Sequence, residues 1–342
     1  MAIGLVLGAG GVIGRSYTIG TLAALADSAR WDARTAAVIV GTSAGAGTGA
    51  TLRLGLSPAD HRARLTGRPI SPEGHRLVGD LSYVTEFDEP EPPRGLAGRR
   101  PQAPGLVRHG LRRPWPTGLG VGISGLLPRG TVPIGPLGDK LRLLYGSGWP
   151  DDPLWICALR MSDGRRVVFG RDPAPGSPAC PPLARAVEAS SAIPGYFEPV
   201  EVDGELYLDG AAHSSTNADL LADRGLDGVG HLAHVGGGRG APLAPAVGQL
   251  LGTTGARPEV DWVEAAGTLV LVFEPTGADL ELMTGDALDD STEADLVERA
   301  HATATDRLHR LGISDLARSW GRTDGTRAER GQRASPGRPR TT

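Results

Sequence analysis

Lysine is almost missing from this chain. Lys140 is the only one in 342 residues, and arginine carries nearly all the positive charge. That is a coding bias with no functional meaning. A formal net charge of -4 argues against broad nucleic-acid binding, which needs a basic surface. Cysteine is equally scarce. Cys157 and Cys180 stand in no C-x-x-C or other metal-ligand spacing, so neither a disulfide framework nor a metal site is expected. Cys157 lies in an apolar, strand-like run and reads as a small buried hydrophobe. Aromatic residues make up 4% of the chain, so its core must be built from Val, Leu, Ile and Ala. No stretch approaches the ~20 apolar residues of a membrane span. Met1 to Leu5 has no basic region ahead of it and reads as no signal peptide. A soluble, cytoplasmic protein is the resulting expectation. None of the histidines falls in H-E-x-x-H, which argues against a metal hydrolase.

At 40% hydrophobic and 22% charged residues, the chain can bury a sizeable core in one large α/β domain or two small ones. Its opening predicts a buried strand over Ile3 to Leu7, then a glycine turn, Gly8-Ala9-Gly10-Gly11-Val12-Ile13-Gly14, then a helix from Ser16 to Leu25. A dinucleotide site opens the same way, but it needs an acid at the end of the second strand to hold a ribose. Here Val38-Ile39-Val40 runs instead into Gly41-Thr42-Ser43, and no G-K-[ST] follows any glycine loop.

Gly41-Thr42-Ser43-Ala44-Gly45 lies between that second apolar run and a small-residue helix, Ala44 to Leu54. Strand, sharp turn and helix form the context in which G-x-S-x-G presents a nucleophilic serine. The glycine turn at Gly10, Gly11 and Val12 would lie beside it if the two strands pair in parallel. Backbone N–H groups converging next to an exposed serine form an oxyanion hole.

The rest of the chain alternates in the same manner. Ser57-Pro58 opens a capped helix. From about 67 to 133 proline, glycine and arginine dominate, and this stretch is expected to be an irregular insert or cap. A helix follows over Ile134 to Tyr145, strands over Leu154 to Leu159 and Arg166 to Phe169, and a short helix over Leu183 to Ser190. Val200 to Val202 and Glu205 to Leu208 make a hairpin around Asp203-Gly204 and lead into Asp209-Gly210-Ala211. Thr268 to Phe273 reads as a strand and Glu293 to Leu308 as a helix. Beyond residue 320 only an aperiodic tail is expected.

The glycine-rich turn with Gly8 and Gly14, the elbow with Gly41 and Gly45, and Asp209 with Gly210 and Ala211 together resemble the motifs of the patatin-like phospholipases. Ala189-Ser190-Ser191-Ala192-Ile193-Pro194-Gly195-Tyr196-Phe197-Glu198-Pro199 is similar to another segment of that family, and Asn217 falls where an asparagine often follows the D-G-A turn. The resemblance implies a three-layer α/β/α sandwich with a central, mainly parallel sheet over residues 1–320. It implies Ser43 as nucleophile and Asp209 as its partner in a Ser–Asp dyad, with oxyanion amides from Gly10, Gly11 and Val12. It also implies a lipid or ester substrate, transient contact with a membrane surface, and no cofactor or metal. Two positions depart from the family: Ile13 stands where many members carry a basic residue, the nearest cation being Arg15, and Thr18-Ile19 precedes Gly20 where a histidine is frequent. A Ser–His–Asp triad is the rival arrangement, with His213 the nearest histidine to Asp209. A non-catalytic protein that binds a ligand or partner is the rival function.

Overall fold

The structure is a computed structural model that describes residues 1–79, 81, 100–112, 117–171, 181–232, 256–283, 288 and 290–321. Among these residues eight strands form one sheet: β1 Ile3–Leu7, β2 Val38–Thr42, β3 Leu154–Arg160, β4 Arg166–Phe169, β5 Val200–Val202, β6 Glu205–Asp209, β7 Gly228–Leu232 and β8 Leu269–Phe273. The described helices are α1 Gly11–Ala29, α2 Ala44–Arg53, α3 Pro58–Leu65, α4 Pro72–Val78, α5 Pro104–Gly110, α6 Thr117–Leu126, α7 Gly135–Tyr145, α8 Leu183–Ser190, α9 Ala256–Ala265, α10 Gly277–Leu280, α11 Glu293–Arg310 and α12 Leu316–Gly321.

Strands β3, β2, β1, β7 and β8 lie side by side in parallel, while β4 and β6 run antiparallel to β3 and β5 pairs with β6. Side chains alternate between the two faces of a strand, and the core follows that alternation. Ile3, Leu5, Leu7, Ile39 and Ile156 pack on one face with Leu22 and Leu25 of α1, Ala46 and Ala50 of α2, Val187 of α8 and Leu308 of α11. Val6, Val38, Val40, Trp155 and Cys157 pack on the other with Leu221 and with Val263 of α9. Two helical layers therefore enclose a mainly parallel sheet, which is the three-layer α/β/α sandwich expected. Near-continuous apolar runs such as Ile3–Leu7 suit strands buried on both faces.

Strand β3 has a seam that matters for the site. On one edge Cys157 is paired with Thr42 of β2, and the next residue, Ala158, is paired with Asp209 of β6. Both residues also pair with β4, which must take the opposite edge. Strands β2 and β6 therefore meet head to head along β3, with Thr42 and Asp209 as neighbours.

Several elements differ from the sequence expectation. Helix α1 starts at Gly11, earlier than Ser16, because its first turn belongs to the glycine turn itself. The described parts of 67–133 are not wholly irregular, because they hold the helices α4, α5 and α6 joined by non-helical segments. Pro72 and Pro104 sit in first turns, where a missing N–H costs nothing, and Ser71 caps α4 by accepting from the Gly74 N–H at 3.0 Å. Leu106 of α5 and Val121 of α6 pack with Leu159, Leu208 and Ala212, so this stretch covers the ends of β3 and β6. Cys157 is fully buried, and burial pushes its thiol up to about 12, so it is an inert core residue. Cys180, residues 322–342 and most of 80–99 lie outside the described residues. Among the described residues no helix is long and apolar enough to cross a membrane.

Candidate active site

Strands β1 and β2 pair with Leu7 opposite Gly41, so the turn after β1 and the elbow after β2 stand side by side at the carboxyl ends of the parallel strands. Ligands of open α/β sheets bind in this region. The first turn is held at its base, where the Gly8 N–H donates to the Leu232 carbonyl at 3.0 Å and the Ala9 N–H to the Ser215 carbonyl at 2.8 Å. Gly10 and Gly11 take φ angles of 153° and 61°, the second in the left-handed region that glycine enters without a Cβ clash. The Gly14 N–H closes the first helical turn onto the Gly10 carbonyl at 2.8 Å. The amides at the start of α1 have no partner within the helix, and no side chain of the N-cap residue, Gly10, takes them up.

Ser43 is the strained residue of the elbow. Its φ of 54° and ψ of -119° are unusual for a residue with a side chain, and it is followed at once by α2. The close packing explains why glycines flank it. A Cβ on Gly45 would lie 2.1 Å from the Leu7 carbonyl oxygen, and one on Gly41 would lie 2.7 Å from Ala46 Cα. The elbow is also tied from below. The Ser43 N–H donates to Ser190 Oγ at 2.9 Å, and Ser190 Oγ donates to the Cys157 carbonyl at 2.6 Å. Ser190 belongs to α8 and to the Ala189–Pro199 segment, so the signal that could have assigned it this role was already in the sequence.

Asp209 reaches the elbow across the β3 seam. It is 3% exposed, its Oδ1 accepts from the Ala211 N–H at 2.8 Å, and the nearby Ser43 side chain favours its charged form. Burial pushes its pKa up to about 7, and the Ala211 N–H and Ser43 offset only part of that rise. Gly210 packs so closely on β3 that a Cβ there would lie 2.3 Å from the Cys157 carbonyl oxygen. Among the described residues no histidine contributes to the state of Asp209. His213 turns back after the motif with its N–H on the Gly210 carbonyl, and His301 pairs with Asp27 at 2.9 Å. His231 stands on β7, and His234 lies outside the described residues.

Asn217 supports the elbow from the other side. Buried and in the left-handed region at φ 55°, it donates through Nδ2 to Thr42 Oγ1 at 3.0 Å and to the Ser214 carbonyl at 2.8 Å. Its Oδ1 accepts from Arg166, which is ion-paired with Asp219 at 2.5 Å. The buried Glu259 carboxylate accepts from Thr216 Oγ1 and from the Ala218 N–H, holding the same loop. The sequence reading missed Arg166, Asp219 and Glu259 in this role.

Ser43 opens into a cavity of about 350 Å³. Gly11 and Val12 line it beside Ser43, whereas Gly10 does not. Its walls are mainly apolar, with Leu137, Leu141, Val187, Ile193 and Phe197 among them. Arg15, Arg64 and Lys140 add positive charge, Arg15 being ion-paired with Glu293 at 2.5 Å. A cation therefore stands at this cavity although Ile13 occupies the family's basic position.

Residues 162–222 match the family model described as Patatin, patatin-like phospholipase. The likeness drawn from the motifs is thus found independently over a segment that contains Ala189–Pro199, Asp209–Ala211 and Asn217. The segment does not contain the glycine turn or the elbow. Among solved structures, VipD from Legionella pneumophila is similar to this chain at 17% identity, with 61% of this chain and 45% of that one covered and a TM-score of 0.31. The chain therefore spans less than half the length of that structure.

Proposed function

We propose that this chain is a serine acyl hydrolase that cleaves carboxylic ester bonds of lipids through Ser43 and Asp209. The observation that carries the reading is the strained Ser43, placed at an apolar cavity with its side chain against a buried carboxylate. A serine hydroxyl is a weak nucleophile until a base takes its proton. Asp209, with its pKa raised to about 7, is matched to that task near neutral pH. In the first step Ser43 Oγ attacks the ester carbonyl while its proton passes to Asp209. The negative charge on the tetrahedral oxygen is met by the Gly11 and Val12 amides and by the positive ends of α1 and α2. Collapse returns the proton from Asp209 to the departing alcohol and leaves an acyl group on Ser43. Water, giving a proton to Asp209, then attacks the acyl-enzyme, and as the bond to Ser43 Oγ breaks Asp209 returns that proton to Oγ, releasing the acid and restoring the free serine. Gly10 would act by shaping the turn, as its absence from the cavity lining favours Gly11 and Val12 as donors.

The test is hydrolysis of p-nitrophenyl esters of graded chain length by wild type, Ser43→Ala and Asp209→Asn, with fluorophosphonate labelling of Ser43. Loss in both variants, with folding intact, is the expected result. A wild type that neither cleaves esters or phospholipid vesicles nor labels would leave the apolar cavity as a binding site and favour the non-catalytic reading.

A further inference from the structure

We infer that Gly47 sets how long an acyl chain the cavity beside Ser43 admits. This rests on the acyl-hydrolase reading and gives it a substrate limit. Gly47 lies one helical turn after the nucleophile, its N–H 3.4 Å from the Ser43 carbonyl, and it lines the same cavity. Residues four apart share a helix face, and a Cβ leans toward the helix N-terminus. A side chain at 47 would therefore project into the cavity toward the reacting serine.

The surroundings show that glycine is not required there for the fold. Its φ is not positive, and an added Cβ would meet no atom within 4 Å. Gly45, two residues earlier on the same helix, would meet backbone at 2.1 Å. What the absent side chain does is leave open the space between α2 and α7.

Helix α7 presents the facing wall. Leu137, Lys140, Leu141 and Leu144 follow the i, i+3, i+4, i+7 spacing and all line the cavity, whereas Leu143 points away and is 74% exposed. The wall is fixed in place: Tyr145 donates to the Ala50 carbonyl of α2 at 2.7 Å, and Arg142 is ion-paired with the fully buried Glu188 of α8. An apolar wall held rigidly across from an open glycine suits an extended hydrocarbon chain better than a compact polar group. Each methylene that enters such a space is worth about a fourfold gain in kcat/KM.

The experiment compares kcat/KM for the p-nitrophenyl butyrate, decanoate and palmitate esters in wild type, Gly47→Ala, Gly47→Leu, Leu144→Ala and Leu143→Ala. Filling the space of three or four methylenes in Gly47→Leu should cut the decanoate-to-butyrate ratio on the order of 100-fold. Gly47→Ala should give an intermediate drop. Leu144→Ala should raise the ratio for the longest ester, and Leu143→Ala should change nothing. An unchanged ratio in Gly47→Leu, or equal loss on all esters, would overturn the inference, because the added side chain would then not compete with the chain. A parallel readout needs no turnover: the rise in melting temperature with butyrate, decanoate and palmitate as free acids. A wild type that cleaves nothing but is stabilised by long acids, with that stabilisation lost in Gly47→Leu, keeps the length limit and refutes only hydrolysis. No stabilisation by any acid together with no cleavage refutes both.

Discussion

Asp209→Asn separates the cost of burying this carboxyl group from its use. The carboxyl pKa rises from 3.8 to about 7 in the folded protein, with desolvation as the main cause. Its folded pKa lies above its unfolded one, so the folded state holds the proton more tightly between about pH 4 and pH 7. The stabilising contribution is complete below about pH 4 and is lost as pH rises through about 7. Three units correspond to about 4 kcal/mol. Wild type should therefore be less stable at pH 8 than a variant that has no charge to bury. Asparagine has the same shape, can accept from the Ala211 N–H and can meet the Ser43 hydroxyl. Asp209→Asn should be more stable than wild type by up to about 4 kcal/mol at pH 8, and the gap should close toward pH 4. The assay is chemical denaturation of both proteins across that range. Activity should move in the opposite direction. Hydrolysis by wild type should fall tenfold per pH unit below a midpoint near 7, and the variant should lose about 10²- to 10⁴-fold at the plateau. Equal stability of the two proteins at every pH, or a wild-type midpoint near 4, would refute the claim that a buried carboxyl group with a raised pKa acts as the base.

Other consequences follow from the packing of the elbow. Ser190→Ala leaves the buried Ser43 N–H without its acceptor and should cost about 1–3 kcal/mol, with a lower kcat and little change in KM, read by denaturation and steady-state kinetics. Gly45→Ala and Gly47→Ala make the same change on one helix and should differ in sign. The first forces a Cβ onto the Leu7 carbonyl and should destabilise by about 3 kcal/mol or more, while the second should stabilise by about 0.5–1 kcal/mol through helix propensity. Asn217→Ala removes bonds to Thr42 and Ser214 at a left-handed position and should cost about 3 kcal/mol, and Asn217→Gly should recover the backbone share of about 1–2 kcal/mol without restoring kcat.

How much of this was legible beforehand depended on whether a residue's identity is dictated locally. Gly45 and Gly210 are forced by backbone contacts that no side chain survives, and Ser43 by its position in a strand–turn–helix, so short patterns expose them. The union of Ser43 with Asp209 is different. It exists because β2 and β6 end on adjacent residues of one edge of β3, and no spacing along the chain encodes that register. Only the resemblance of the D-G-A motif pointed to it. Strand β7, Gly-Val-Gly-His-Leu, was missed because two glycines weaken its intrinsic strand signal, and it is held by parallel pairing with β1 and β8. The α5 and α6 helices were hidden by proline and glycine, which mark turns in sequence yet sit here in first turns or at helix crossings.

The supporting network was illegible for a physical reason of its own. Arg166, Asp219 and Glu259 are ordinary charged residues until folding removes water from them. Once buried, a charge must be paired, and the partners come from whichever elements the sheet brings together. Arg166 leaves β4 to reach Asp219 and Asn217, and Glu259 leaves α9 to hold Thr216 and the Ala218 amide. Both converge on the loop just after Asp209, and Asn217 passes their constraint to Thr42, the residue before Ser43. The elbow is therefore fixed from two sides, by Ser190 beneath it and by Asn217 beside it. Strain at Ser43 persists only because these contacts over-determine its backbone, which makes its partners as much a condition of the site as the serine itself.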